Sequence, residues 1–139
     1  MFGLFKSKKK TGQSKILVVD DEVDIVSTIQ YRLKSCNFTV ITANNGKDGL
    51  ETAIKEKPDI ILLDINMPIM SGHEMLERLR NDPTVKDTPV IMLTAYSDTR
   101  DVSKAAGLGI NDYVTKPFDF TDLMDKITNA LENTVSAGK

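Results

Sequence analysis

Residues 60–68 read IILLDINMP. Ile60, Ile61, Leu62 and Leu63 run without a break to one carboxylate, Asp64, and Asn66-Met67-Pro68 supplies turn chemistry two residues on. An unbroken aliphatic run closed by a turn fits a strand buried on both faces. Such strands belong to parallel sheets, whose C-terminal edge is where open α/β folds place their ligands. Asp64 alone is ambiguous, because an acid after a strand is often only a turn former or a helix cap.

Outward from this run the same pattern repeats. Residues 15–20, KILVVD, form a second buried run that ends in three acids, Asp20, Asp21 and Glu22. A helix follows, with Val23, Val26, Ile29 and Leu33 spaced for one inward face. FTVITA at 38–43 alternates and is β-branched, so it reads as a strand. Asn44-Asn45-Gly46 reads as a loop, and residues 47–57 as a helix with Leu50, Ala53 and Ile54 inward, ended by Pro58. After Asp64, Ser71-Gly72 introduces a helix with Met75, Leu76 and Leu79 inward. PVIMLT at 89–94 is a fourth buried strand, 97–106 a short polar helix stopped by Gly107 and Gly109, and DYVT at 112–115 a brief strand. Lys116-Pro117 reads as a turn. Asp119 caps a last helix with Leu123, Met124, Ile127 and Leu131 inward, and residues 135–139 are expected to fray.

Five strands alternating with five helices imply an α/β fold, a parallel sheet covered on both faces through right-handed crossovers. The 139 residues suit one domain, expected over 15–134. The last helix uses up the chain, so no second domain is expected.

Composition removes several classes. One cysteine, Cys36, allows no internal disulfide and no thiolate metal cluster, and the single histidine, His73, allows no histidine-based zinc site. This suits a reducing, cytoplasmic setting. No apolar run approaches the roughly 20 residues of a membrane span. Residues 1–15 hold five lysines and no acid, which leaves 13 of the 18 basic and all 20 acidic side chains in residues 16–139, a balance of −7. Nucleic acid is therefore not an expected partner of the folded part. Residues 1–14, MFGLFKSKKKTGQS, read as a flexible basic tail. Its sharper reading is a membrane tether, with Phe2, Leu4 and Phe5 inserted and Lys6, Lys8, Lys9 and Lys10 on anionic lipid.

The strand ends carry the chemistry. The first strand delivers Asp20 and Asp21, the third Asp64, the fourth Thr94 and the fifth Lys116, all to one sheet edge. Three carboxylates within about 5 Å repel unless a cation neutralises them. All are hard oxygen donors, which points to Mg²⁺ or Mn²⁺. Such an ion completes its shell with water and phosphate oxygens, so the set predicts phosphoryl chemistry. Asp64 is placed as nucleophile, Lys116 as charge balance and Thr94 as hydrogen-bond donor. Singly, each has a plain structural explanation: Asp21 a helix cap, Thr94 a β-branched strand residue, Lys116 a solvated turn lysine.

VVDDE at 18–22, LLDINMPIMSG at 62–72, LTA at 93–95 and KPF at 116–118 together resemble a response-regulator receiver domain of two-component signalling, over residues 15–134. The resemblance is to stand-alone, chemotaxis-regulator-like receivers. It implies a flavodoxin-like fold with strand order 2-1-3-4-5. It implies that Asp64 is phosphorylated by a histidine kinase or histidine phosphotransfer protein, and that the chain then signals to a downstream protein rather than turning over substrate. It implies Asp20 and Asp21 as the acidic pair, with Asp21, Asp64 and the Asn66 carbonyl as metal ligands. Thr94 is the implied switch hydroxyl, Lys116 the phosphoryl-binding lysine and Tyr113 the switch aromatic. Asn66 and Tyr96 are expected to flank the path of hydrolytic water, with Tyr96 shielding the acyl phosphate.

Rival readings come from other classes. A metal-dependent aspartyl-phosphate phosphatase would want a second acid two residues after its nucleophile, where this chain has Asn66. A nucleotide binder would want a glycine- or hydroxyl-rich loop after the first strand, where this chain has DDE. An unphosphorylated interaction module leaves the assembled site unexplained, and a transcription factor would need a further domain.

Overall fold

The computed structural model describes residues 14–95 and 99–137. Five strands, β1 (Lys15–Val19), β2 (Thr39–Ala43), β3 (Ile60–Asp64), β4 (Val90–Ala95) and β5 (Asp112–Lys116), alternate with α1 (Val23–Ser35), α2 (Gly46–Glu56), α3 (Gly72–Arg80), α4 (Thr99–Gly107) and α5 (Phe120–Ala137). The strands form one parallel sheet in the order β2-β1-β3-β4-β5, the order that the resemblance implies.

The aliphatic run at 60–64 is the central strand, and all five of its residues are buried. Period-two alternation sends them to two cores. Ile60 and Leu62 join Ile16, Val18, Ile91, Leu93 and Val114 under α1 and α5. Ile61 and Leu63 join Leu17, Val19, Val90 and Met92 under α2, α3 and Ala105 of α4. A strand apolar on both sides is what a sheet between two helical layers requires.

Helix ends follow local chemistry. Asn45, within the expected loop, accepts a hydrogen bond from Asp48 N at 2.8 Å and caps α2. Lys57 takes a left-handed conformation (φ 48°) and ends that helix ahead of Pro58. Ser71 caps α3 through Glu74 N at 3.2 Å. Asp119 accepts from Thr121 N at 2.9 Å at the start of α5, as expected of it. Gly72 has a steric reason: a Cβ there would stand 2.1 Å from the Asp64 carbonyl oxygen, and its N–H donates to Ile65 O at 2.8 Å. The absent side chain lets α3 start directly against the end of β3.

Several expectations need correction. Val23 is not on the inward face of α1; it is 73% exposed, because the first turn of that helix stands beyond the end of β1, while Ile29 and Leu33 are buried. The fourth strand begins at Val90, one residue after the proline, and continues to Ala95. The fifth extends to Lys116, which is therefore a strand residue followed by a cis peptide to Pro117. The last helix is described from Phe120 to Ala137, and residues 138–139 of the segment expected to fray lie outside the described residues. The basic tail through residue 13, and Tyr96, lie outside the described residues.

At the opposite sheet edge, Arg80 closes α3. Its guanidinium donates to Gly109 O from Nε (3.1 Å) and Nη2 (2.7 Å), and from Nη1 to Lys86 O (2.9 Å) and Thr88 O (2.8 Å). One side chain thus joins the loops before β4 and before β5 to the end of α3.

Candidate functional site

The C-terminal ends of β1, β3 and β5 bring four of the expected residues together. Asp20 follows β1 and is fully buried; its N–H donates to Ala43 O at 3.1 Å, which holds it against the end of β2. Its Oδ1 accepts from Glu22 N at 2.9 Å. Asp64 ends β3 and is 6% exposed. Asp21 is exposed. One carboxylate oxygen from each of Asp20, Asp21 and Asp64 lies within 4.8 Å of the others. Asp21 therefore belongs to the acidic cluster, and the residue at the cap position of α1 is Glu22, which makes no side-chain cap bond.

Lys116 reaches into this cluster from the end of β5. Its Nζ lies 2.8 Å from Asp20 Oδ2, 2.8 Å from Glu22 Oε1 and 3.1 Å from Asp64 Oδ1. The contacts to Glu22 and Asp64 are hydrogen bonds. The contact to Asp20 Oδ2 is an ion pair without hydrogen-bond alignment, so that buried oxygen has charge compensation but no aligned donor. Burial works against the ammonium's charge. The carboxylates of Asp20, Glu22 and Asp64 outweigh it and hold the Lys116 pKa above its ordinary value.

Asp64 is displaced the other way. Burial, then the charge of Asp20, raises its pKa to about 6, and the attraction and hydrogen bond of Lys116 do not offset them. One ammonium for several acids leaves a deficit of positive charge at the cluster. A divalent ion fits that deficit: the donors are all hard oxygens, one buried oxygen lacks an aligned donor, and neither thiolate nor imidazole is in the cluster.

The other expected residues stand around this centre. Thr94 is 1% exposed, one strand over from Asp64, with its Oγ1 donating a long 3.3 Å bond to Ala95 O. The register pairs Asp64 with Leu93 and Thr94 with Thr115, so the hydroxyl lies one step further along the sheet than the carboxylate. Tyr113 sits on the edge strand, 43% exposed. Asn66 is exposed in the loop between β3 and α3. Glu22 is the participant that sequence reasoning passed over as merely the third acid of DDE. No sequence signal ties it to a lysine 94 residues away.

Comparisons with known proteins agree with this geometry. The response regulator receiver domain model matches residues 16–128. The chain is 44% identical over 104 residues to the alkaline phosphatase synthesis transcriptional regulatory protein PhoP of Bacillus subtilis (strain 168), covering 75% of this chain and 42% of that protein. Among solved structures it is similar to the chemotaxis protein CheY4 of Vibrio cholerae, with a TM-score of 0.80, 30% identity and coverage of 85% of this chain and 98% of that one. It is also similar to the receiver domain of sensor histidine kinase PA1611 from Pseudomonas aeruginosa PAO1, which has a magnesium ion coordinated in its active-site cleft (TM-score 0.80, 26% identity, 86% and 98% coverage). The chain spans about half the length of the curated relatives it matches. PhoP is by name a transcriptional regulator, so the expectation that nucleic acid is no partner has no support from its relatives. With the receiver model matched over most of the chain and the acidic centre assembled at the C-terminal sheet edge, the protein belongs to the response-regulator receiver domain family.

Proposed function

We propose that Asp64 is the phosphoacceptor of this switch, that a histidine kinase or histidine phosphotransfer protein is the donor, and that signalling proceeds by altered protein–protein contact. The observation that carries this reading is the Lys116 ammonium shared between Asp64 and Asp20 beside the exposed carboxylate of Asp21. A carboxylate oxygen of Asp64 attacks the phosphorus of a phosphohistidine. The P–O bond forms, the P–N bond breaks, and the released imidazole retains its electron pair and takes up a proton. The product is an acyl phosphate, and water later returns Asp64 to the carboxylate.

Lys116 balances charge on the phosphoryl oxygens, and Thr94 donates a hydrogen bond to one of them. Asp20, Asp21, Asp64 and the Asn66 carbonyl would hold Mg²⁺ or Mn²⁺, which supplies the remaining positive charge when bound. Phosphorylation adds about 1.5–2 negative charges. Thr94 turns from Ala95 O toward them, and Tyr113, exposed in the structure, rotates into the space released. The partner surface of α4 and β5 changes with it.

This is a switch and not a turnover enzyme. A phosphatase reading would need an acid where Asn66 stands. Among the described residues no helix is long and apolar enough to cross a membrane. A cytoplasmic setting is the one in which a histidine kinase's phosphoryl group is available. The test is acetyl phosphate with Mg²⁺, read by intact mass. One phosphate adduct on wild type and none on Asp64→Asn is expected; an adduct persisting on Asp64→Asn overturns the assignment.

A further inference from the structure

Lys116 has a hydrogen-bond partner that phosphoryl acceptance does not require. Glu22 Oε1 lies 2.8 Å from its ammonium, closer than the 3.1 Å of Asp64 Oδ1. The two acids differ in environment. Asp64 is buried at the end of a central strand, whereas the Glu22 side chain is 57% exposed, in the turn between β1 and α1. The Glu22 backbone is fixed by its N–H bond to Asp20 Oδ1, so the side chain swings from an anchored base.

An ammonium has three N–H donors; two are hydrogen-bonded, to Glu22 and Asp64, and Asp20 Oδ2 stands 2.8 Å away as an ion pair on a third side. Lys116 is itself only 14% exposed, so an incoming anion has little other surface of it to approach. A phosphoryl group on Asp64 needs a donor direction on that nitrogen. Asp20 cannot yield it, being fully buried, and Asp64 carries the phosphoryl group. Glu22 can, since it returns to water at the small cost of an ion pair with one exposed member.

We infer that Glu22 is a displaceable counter-ion of Lys116: it occupies the ammonium in the resting protein and is exchanged for a phosphoryl oxygen on phosphorylation. Glu22 is then a positioning residue, acting through Lys116. It weakens acceptance of the phosphoryl group and keeps other anions off the ammonium. The inference rests on the phosphoacceptor reading of Asp64.

The test compares wild type, Glu22→Gln and, as a control for simple loss of one nearby negative charge, Asp24→Asn in the exposed first turn of α1. Two quantities are measured at saturating Mg²⁺: the affinity for beryllium fluoride, by calorimetry, and the rate of phosphorylation by acetyl phosphate, by intact mass. Glu22→Gln is expected to raise both by about 2- to 5-fold, the upper part of the range for an ion pair with one exposed member. Asp24→Asn is expected to match wild type. The Glu22→Gln advantage should shrink as salt is raised from 0.05 to about 1 M, because an exposed pair is screened; a merely structural effect of the substitution would not follow salt. Equal constants in wild type and Glu22→Gln, or an equal gain in Asp24→Asn, overturn this inference while leaving Asp64 as acceptor. Absence of both beryllium fluoride binding and a phosphate adduct on wild type overturns the phosphoacceptor reading, and this inference with it.

Discussion

Lys116 Nζ hydrogen-bonds Asp64 Oδ1 at 3.1 Å across 52 positions of sequence. The ends of β5 and β3 meet there with β4 between them, so the contact exists only in the folded sheet. It couples the chemistry of the site to its stability.

The first consequence is a pH dependence. Folding raises the Asp64 pKa from 3.8 to about 6 through burial and Asp20, so the folded state binds the proton more tightly than the unfolded chain does. The stabilisation by the protonated acid is complete below about pH 4 and is lost as pH rises through about 6. Without divalent ions, Asp64→Asn should be more stable than wild type at pH 7.5 by about 1–3 kcal/mol, the upper figure being a two-unit shift at 1.36 kcal/mol per unit. The advantage should vanish near pH 4. Urea unfolding at the two pH values checks it.

Divalent ions should reverse that penalty. An ion held by the assembled acidic cluster would bind the folded state and not the unfolded chain, so Mg²⁺ should raise the melting temperature of wild type in proportion to RT ln(1 + [Mg²⁺]/Kd). Asp64→Asn and Asp21→Asn should show little of this rise, and chelation should abolish it in wild type. Differential scanning calorimetry with and without EDTA makes the measurement. Apparent Mg²⁺ affinity should increase with pH between 5 and about 7, since the ion competes with the Asp64 proton.

Removing the lysine should expose the repulsion that it masks. Lys116→Met leaves Asp20 and Asp64 buried without their cation, and a destabilisation of about 2–4 kcal/mol at pH 7.5 is expected. The loss should be smaller at pH 5, where Asp64 takes up a proton. Beryllium fluoride binding should weaken at both pH values. Chemical denaturation and calorimetry read the two effects separately.

Arg80 gives a prediction away from the site. Arg80→Ala leaves the carbonyls of Lys86, Thr88 and Gly109 without that donor and should cost about 2–4 kcal/mol. Hydrogen exchange should be fastest to rise at the loops before β4 and β5, with the acidic cluster unaffected. Mg²⁺ binding to the folded variant should equal that of wild type.

The central architecture was legible in sequence because burial leaves a simple record. Unbroken aliphatic runs at 16–19 and 60–63, each ended by acid, mark strands covered on both faces, and their C-terminal ends placed Asp20 and Asp64 at one edge, to which the short strand 112–116 adds Lys116. What was not legible depends on side-chain reach. Glu22 looked like one acid among three, and its pairing with Lys116 arises only when β1 and β5 flank the same cleft. No pattern in the sequence singles out Arg80, whose carbonyl partners come from two distant loops. Val23 fitted the apolar spacing of α1 but lies beyond the sheet that would cover it, since periodicity carries no information about where the opposing layer stops.

Identification of the modified residue decides whether Asp64 is the phosphoacceptor. The protein is phosphorylated with acetyl phosphate and Mg²⁺, reduced with borohydride, which converts an aspartyl phosphate to homoserine, and mapped by peptide mass spectrometry. Homoserine at position 64 and unaltered aspartate at 20 and 21 are expected. Homoserine at 20 or 21, or phosphate retained on a serine or threonine with Asp64 unaltered, would contradict that role of Asp64.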